Sequence, residues 1–388
     1  MPLRPRPLRN ARAAGRRAPR RHGHPREALH PRRRRIRGAV HAPRDRSSRR
    51  QALRRPPEVA RRPSSGRAGR GGTGFRLAPR IVFLGTPAFA VPALEALHRL
   101  REDGVVTIAG VVTQPDRPGS RGVTSEPAVK RAARALGLAV VQPERLAGPG
   151  LAAVLAMRPE LLVWAAYGNK IPKALLDAVS GRTANVHASL LPRWRGAAPI
   201  AHAILAGDDE TGVTLMEGTL ELDAGPILAQ AKTKIDARET RGELEERLAT
   251  MGGELLEREL PRHLRGQLVR RPQDPKRVTL APKLDPARGA LDFARPAEEV
   301  ARLVRAYTPD PGAFTTYRGQ RIGVLRTTVT GGRGVDHGTL EIRADAPHVA
   351  AGAGWLRLDE VKPAGKRAMS GADWARGLRL GGSERLPS

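Results

Sequence analysis

The chain has 388 residues, 40% of them apolar and 3% aromatic, so it is long enough for two domains whose cores consist mostly of Ala, Leu and Val. It contains no cysteine, which excludes disulfides, thiol nucleophiles and thiolate metal sites and favours a reducing cytoplasm. Its formal charge of +31 favours a nucleic-acid partner, and no apolar run approaches the roughly 18 residues of a membrane span.

Most of this charge lies in an amino-terminal tail, residues 1–78. Residues 1–80 contain 26 arginines and three acidic residues, whereas the rest of the chain contains 43 basic and 35 acidic residues. Without an apolar period and with scattered Pro and Gly, the tail is predicted to be disordered, or to result from a start assigned upstream of a non-Met start such as Leu77. An RNA-binding arm is the alternative; a transit peptide is disfavoured because the prolines oppose an amphipathic helix.

From Arg80 onward, strand and helix patterns alternate. Short apolar runs predict strands at residues 81–85, 105–113, 138–143 and 160–168. Helical spacing predicts helices at residues 92–100, 127–137 and 151–158. Strands that alternate with helices of about ten residues form parallel sheets through right-handed crossovers. The region is therefore predicted to be an open, mostly parallel, Rossmann-like α/β fold.

The stretch NVHASLLPRWRGAAPI, residues 185–200, begins at the end of a short extended run. Asn185 and His187 project on one face at spacing i, i+2, at the strand end where open α/β sheets bind ligands. An amide N–H can stabilise an oxyanion, and an imidazole can exchange protons near neutral pH. The pair therefore suits a reaction at a carbonyl, although an Asn-x-His pair taken alone is more often structural.

A carboxylate near His187 would strengthen the catalytic interpretation. Asp223 follows a second apolar run, in a turn before Gly-Pro, where it can orient the histidine or accept a proton. Asp208 and Asp209 are closer in sequence, but their Gly-Asp-Asp-Glu-Thr-Gly context predicts a solvated loop. Asp223 is the predicted third member.

Six segments resemble the methionyl-tRNA formyltransferases in order and spacing: GTPAFAVP, QPDRPGSRG, AAYGNKIP, NVHASLLPRWRGAAPI, GVTL followed by LDAGPIL, and KPAGKRAMS. The resemblance covers roughly residues 79–372. NVHxSLLPxxRG with a later LDxG is specific for folate-dependent formyl transfer. The last motif narrows the resemblance to the tRNA branch or to a relative with a similar second domain.

The resemblance implies transfer of a formyl group from 10-formyltetrahydrofolate to the α-amine of initiator methionyl-tRNA, without a metal. The family's catalytic Asn, His and Asp correspond to Asn185, His187 and Asp223. Asn185 and protonated His187 would then stabilise the oxyanion, while His187 and Asp223 handle the amine's proton. The family's segment that contacts the reduced folate corresponds to Ser189, Leu190, Leu191 and Pro192.

Two segments depart from the family pattern. Residues 218–222 replace a Met-Asp pair and a Gly, and a positive φ at the position of that glycine would strain Glu221. The loop after Asp116 is one residue shorter and lacks a Lys-Lys pair that meets the tRNA acceptor end in the family. Arg117 and Arg121 remain as candidate tRNA contacts, with a solvated turn as the alternative.

The predicted catalytic domain, residues 79–266, is followed by a Pro-rich, basic linker over residues 267–286. Alternating apolar runs and turns then predict a small OB-like β-barrel over residues 287–388, with tRNA binding as its expected role. Lys366 and Arg367 are its candidate tRNA contacts, and scattered solvated charges are the alternative.

Three other functions remain open. Glycinamide ribonucleotide formyltransferases share the Asn-His-Asp core but lack a second domain of this kind. Nucleotide-sugar formyltransferases have a comparable barrel, and a non-catalytic RNA-binding protein would fit the basic tail and barrel. The favoured expectation is a cytoplasmic, monomeric enzyme with initiator methionyl-tRNA and reduced folate as partners and no membrane association.

Overall fold

Strands and helices alternate through the first part of the chain, and strands dominate the second. The computed structural model describes residues 78–118, 124–332, 335–378 and 384–387, so Arg121 and the predicted tail up to residue 77 lie outside the described residues. The strands are β1 (Arg80–Gly85), β2 (Thr107–Val112), β3 (Arg117–Pro118), β4 (Thr124–Ser125), β5 (Val140–Val141), β6 (Leu161–Ala165), β7 (Thr183–His187), β8 (Arg195–Gly196), β9 (Glu210–Met216), β10 (Ile227–Lys234), β11 (Leu280–Ala281), β12 (Ala313–Tyr317), β13 (Gln320–Thr330), β14 (Thr339–Arg343), β15 (Ala346–Ala350), β16 (Trp355–Pro363), β17 (Met369–Ser370) and β18 (Glu384–Arg385). The helices are α1 (Val91–Glu102), α2 (Ala128–Ala135), α3 (Gly148–Ala156), α4 (Lys173–Ala178), α5 (Pro199–Ala206), α6 (Arg241–Leu264), α7 (Ala297–Tyr307) and α8 (Gly371–Arg376).

The first sheet has the strand order β10-β9-β7-β6-β1-β2-β5. The five strands from β7 to β5 run parallel, and β9 and β10 extend the sheet antiparallel beyond β7. The parallel strands are apolar because helices cover both faces of the sheet. In β1, for example, every residue from Ile81 onward is buried. The predicted open, mostly parallel α/β fold is confirmed. The strand predicted at 138–143 shortens to Val140–Val141 because it is the sheet edge and has one neighbour, β2.

The long helix α6 fixes the strand that carries the Asn-His pair. A capping box between Thr240 and Glu243 starts the helix. Gly252 faces β7 so closely that an added Cβ would lie 2.7 Å from a Val186 methyl carbon. The absent side chain therefore lets α6 pack directly on the residue between Asn185 and His187.

The second sheet is antiparallel and follows the path β12-β13-β16-β15-β14-β18, with β17 paired to β16. Within the described residues the two ends of this path are not paired with each other, so the sheet is a half-barrel. Its long central strands alternate inward apolar and outward polar side chains, as in β16. The predicted OB-like second half is confirmed in this half-barrel form.

One apolar core runs through both sheets. Helix α7 packs on α5 and α6 on one side and on β13 and β16 on the other. The buried residues at this junction include Ile204, Leu244, Leu291, Phe293, Val300 and Val304. Separating the two sheets would expose these side chains to water, which costs about 25 cal/mol per Å² of apolar surface. Among the helices that the structure describes, none is long and apolar enough to cross a bilayer.

Candidate active site

The three side chains predicted as catalytic converge at the carboxyl end of β7. Asn185 and His187 are 5% and 6% exposed, on one face of the strand's last residues. The amide Nδ2 of Asn185 lies 3.5 Å from Oδ1 of Asp223, and Nδ1 of His187 lies 3.6 Å from Oδ2. An amide donor, an imidazole and a carboxylate therefore share one small site.

Asp223 is held in place by its backbone as well as its side chain. Its φ of 50° is left-handed, a region that Asp tolerates better than most residues. The residue at risk of strain in this turn is thus Asp223, whereas Glu221 is not among the described residues with positive φ. Oδ2 of Asp223 accepts a hydrogen bond from the Gly196 N–H at 3.0 Å. The side-chain amide of Gln273 donates to the Asp223 carbonyl at 2.8 Å.

The second ring nitrogen of His187 faces away from Asp223. Nε2 lies 2.9 Å from the carbonyl oxygen of Trp194. Because a carbonyl can only accept, Nε2 carries the hydrogen, and Nδ1 is the nitrogen that gains or loses a proton. Proton exchange at His187 is therefore directed toward Asp223.

The loop that supplies the Trp194 carbonyl is fixed by Asp208. Trp194 adopts a left-handed φ of 66°, and its indole Nε1 donates to Asp208 Oδ2 at 2.8 Å. Arg193 donates to both oxygens of the same carboxylate at 2.8 and 2.6 Å and lies over the indole ring. These hydrogen bonds raise the pKa of the Arg193 guanidinium. The prediction of a solvated loop is wrong for Asp208, whose side chain is 16% exposed, while Asp209 is exposed.

Comparisons with known proteins show the family of this chain. Residues 79–260 match the family described as Formyl transferase, and residues 283–379 match Formyl transferase, C-terminal domain. The methionyl-tRNA formyltransferase of Roseiflexus sp. (strain RS-1) is 45% identical over 311 residues, 79% of this chain and 95% of the relative. That of Halorhodospira halophila (strain DSM 244 / SL1) is 47% identical over 307 residues, 78% of this chain and 98% of the relative. The chain belongs to the methionyl-tRNA formyltransferase family. It is an enzyme of formyl transfer.

Solved structures share the enzyme's fold. HypX from Aquifex aeolicus in complex with tetrahydrofolic acid superposes with a TM-score of 0.54 at 18% identity, over 76% of this chain and 47% of that chain. An N-formyltransferase from Helicobacter canadensis in complex with folinic acid and dTDP-3-aminofucose gives 0.54 at 16% identity, over 72% and 98%. At these identities the likeness concerns the fold.

The segment predicted to contact folate is partly internal. Ser189 and Leu191 are 0% and 3% exposed. The Thr214 hydroxyl donates to the Ser189 carbonyl at 2.6 Å and accepts from the Leu191 N–H at 3.1 Å. Leu190 and Pro192 are half-buried. Their side chains are the ones in this segment with surface left for a ligand, while Ser189 and Leu191 hold the backbone.

The described tRNA candidates lie on separate elements. Arg117, in β3 beside the carboxyl end of β2, is exposed and donates to the Gln114 side-chain oxygen at 2.6 Å. Lys366 and Arg367 are exposed in the turn between β16 and β17. Among the residues that the structure describes, no carboxylate lies within 4.0 Å of either basic group in this turn. Arg121 is outside the described residues.

A cavity lies apart from the convergence of side chains at the end of β7. It has a volume of about 730 Å³ and lies between α5, residues 282–292 and α7, with His202 and Tyr307 in its wall. None of the three converging side chains lines this cavity. Within the described ranges, no group of three His, Cys, Asp or Glu residues could hold a metal ion.

Proposed function

We propose that the enzyme transfers the formyl group of 10-formyltetrahydrofolate to the α-amine of initiator methionyl-tRNA. The observation that carries the proposal is the convergence of Asn185, His187 and Asp223 at the carboxyl end of β7. The membership in a family whose curated relatives are methionyl-tRNA formyltransferases supports the choice of acceptor. We place the reaction in the cytoplasm and assign it to a monomer.

The formyl donor supplies an electrophilic carbonyl carbon and an amine leaving group. As the α-amine forms its bond to that carbon, the carbonyl oxygen gains negative charge. Asn185 is the oxyanion donor, because its 3.5 Å contact with Asp223 uses at most one of the two Nδ2 hydrogens. A donor of this kind contributes about 3–4 kcal/mol to transition-state stabilisation.

The proton of the attacking amine passes to the Asp223–His187 pair. Asp223 Oδ2 is the acceptor, and the proton can move on to His187 Nδ1 3.6 Å away, since Nε2 is committed to the Trp194 carbonyl. The resulting imidazolium places positive charge beside the oxyanion. When the bond to the folate amine breaks, the pair returns one proton to that nitrogen, so the proton count balances. Proton transfer of this kind typically contributes about 10²–10⁴-fold.

The two substrates occupy different parts of the surface. Leu190 and Pro192 provide apolar contact for the reduced folate. The proposed catalytic domain, residues 79–266, and linker, residues 267–286, lead to a tRNA-binding domain over residues 287–388. In that domain Lys366 and Arg367 contact phosphate, as Arg117 does near the sheet edge, because exposed basic side chains without a carboxylate partner are free to neutralise a polyanion.

An acceptor panel tests the proposal. The enzyme is incubated with 10-formyltetrahydrofolate that carries an isotopic label in the formyl group. The acceptors are methionyl initiator tRNA, the same tRNA uncharged, glycinamide ribonucleotide and a dTDP-amino sugar. Label should appear on the charged tRNA, and His187→Ala should abolish most of it. Label on a small amine but not on the charged tRNA would overturn the proposed acceptor. Size-exclusion chromatography with light scattering checks the monomer.

A further inference from the structure

The segment between the two family matches contacts two parts of the proposed active site, the β8 loop and the turn that contains Asp223. Residues 261–282 fall outside both matched ranges. Strand β11 of this segment pairs with β8, and the Arg271 N–H and carbonyl form a bridge with Ile227 at 3.0 and 2.8 Å. Arg270 binds the buried carboxylate of Glu217. A segment with linker composition thus connects the β8 loop with the turn that contains Asp223.

Gln273 lies at the point where the segment touches both loops. Its Nε2 donates to the carbonyl oxygens of Asp223 and Gly225, both at 2.8 Å. Its Oε1 accepts from Arg195 Nε at 3.0 Å. Both amide hydrogens and the amide oxygen are therefore engaged, and the side chain is half-buried.

The three bonds act on the distance between Asp223 and His187. Arg195 is followed by Gly196, whose N–H holds the Asp223 carboxylate at 3.0 Å. The β8 loop is thus tied to the Asp223 turn at three points: through Gly196, through Gln273, and through the contact between Arg195 and the exposed Glu221 at 3.3 Å. Since Asp223 has a left-handed φ of 50°, its turn needs such ties to keep the carboxylate in place.

We propose that Gln273 is a positioning residue for formyl transfer: its side-chain amide holds the Asp223 turn against the β8 loop and so keeps the carboxylate beside His187. The proposal rests on the proposed function, and wild-type transfer to methionyl-tRNA tests that function separately. Gln273 touches no reacting atom. Its loss should therefore affect the chemical step and leave the binding of both substrates intact.

Gln273→Glu tests the proposal most sharply. The change keeps size and the acceptor for Arg195 but removes both donors and sets an anion against two carbonyls. The expected result is a fall in kcat of roughly 10–100-fold, the range that a misplacement of about 1 Å can produce. KM for each substrate should stay within about twofold, because the loss concerns the transition state. Gln273→Met, which removes the polar groups without adding charge, should show the same split and covers the case in which the acidic variant folds poorly.

Gln267→Glu is the matched control, because Gln267 is exposed in the same segment and its side chain accepts only from Arg265 among the described contacts. It should keep wild-type kcat. Ring ¹⁵N resonances of His187 should shift in Gln273→Met and stay unchanged in Gln267→Glu. Wild-type kcat in both Gln273 variants would overturn the proposal. So would a rise in KM with unchanged kcat, which would make the segment a binding element.

Discussion

The ring Nε2 of His187 donates to the carbonyl oxygen of Trp194 at 2.9 Å. This one bond fixes which nitrogen of the histidine takes part in proton exchange, and it directs Nδ1 toward Asp223. Trp194 has a left-handed backbone conformation and is held by two hydrogen bonds. Its backbone N–H donates to the Thr279 hydroxyl, and its indole N–H donates to the Asp208 carboxylate. The orientation of the imidazole that we propose as catalytic therefore depends on Trp194, Thr279 and Asp208.

Asp208→Asn should slow the reaction through this chain of contacts. Arg193 Nε and the indole both donate to Oδ2 of Asp208, and Arg193 Nη2 donates to Oδ1. An amide has one acceptor oxygen and no charge, so one Arg193 bond and the ion pair are lost and the Trp194 loop is held less firmly. We expect kcat to fall roughly tenfold, about 1.4 kcal/mol in the barrier, with the KM values little changed. Steady-state kinetics check the fall, with Asp209→Asn as control because Asp209 is exposed. Equal rates in the two variants would contradict the role of Asp208.

Charge reversal at Lys366 or Arg367 should weaken tRNA binding without affecting the chemistry. Each variant should raise KM for methionyl-tRNA. It should also lower the slope of log KM against log salt concentration by roughly one, which is the change expected when one phosphate contact is lost. Arg101→Glu is the control, because Arg101 is exposed in the last turn of α1, which leads into the amino end of β2 and not to the carboxyl ends of the strands. If all three variants behaved alike, the turn between β16 and β17 would have no part in binding tRNA. Deleting residues 287–388 is a poorer test, since it would strip α7 from the shared core.

The ion pair between Glu243 and Arg326 joins α6 to the second sheet and should give stability a pH dependence. Hydrogen bonding to Arg326, then to the Thr240 N–H, lowers the pKa of the Glu243 carboxyl from 4.5 to about 2. Because the folded pKa is depressed, the contribution is complete above pH 4.5 and is lost as the pH falls toward 2. The side chain is 45% exposed, so solvent screening limits the contribution to at most about 1 kcal/mol.

Thermal unfolding between pH 3 and pH 7 checks this contribution. Glu243→Gln keeps an acceptor for the Thr240 cap but loses the ion pair, so its Tm should lie below that of the wild type at neutral pH. The difference should shrink as the pH falls. Glu246→Gln, an exposed position on the same helix, should show no such convergence. A constant Tm difference across the pH range would rule out the assigned linkage.

The sequence predicts those parts of the molecule in which side-chain periodicity reflects burial. Alternation of apolar runs predicts the parallel sheet, and the i, i+2 spacing puts Asn185 and His187 on one face. The roles of Asp208 and Gln273 could not be predicted from local pattern. Asp208 lies in a polar stretch, and its hydrogen-bond partners Trp194 and Arg193 are 14 and 15 residues earlier in the chain. Gln273 lies in a segment of linker composition, and its partner Asp223 is 50 residues earlier. Loop contacts of this kind depend on how the elements pack. For Asp208, the local sequence signal is the adjacent Arg193 and Trp194, two side chains that can donate hydrogen bonds to a carboxylate.

The most direct test of the proposed active site is the single-turnover rate of formyl transfer to methionyl-tRNA, with enzyme in excess and both substrates saturating. Measured in this way, the rate reports the chemical step and not binding or product release. His187→Ala should slow the step by roughly 10²–10⁴-fold while the fold and folate binding remain. Asn185→Ala should be impaired to a similar degree. A single-turnover rate near that of the wild type in His187→Ala would contradict the assignment of the site at the end of β7.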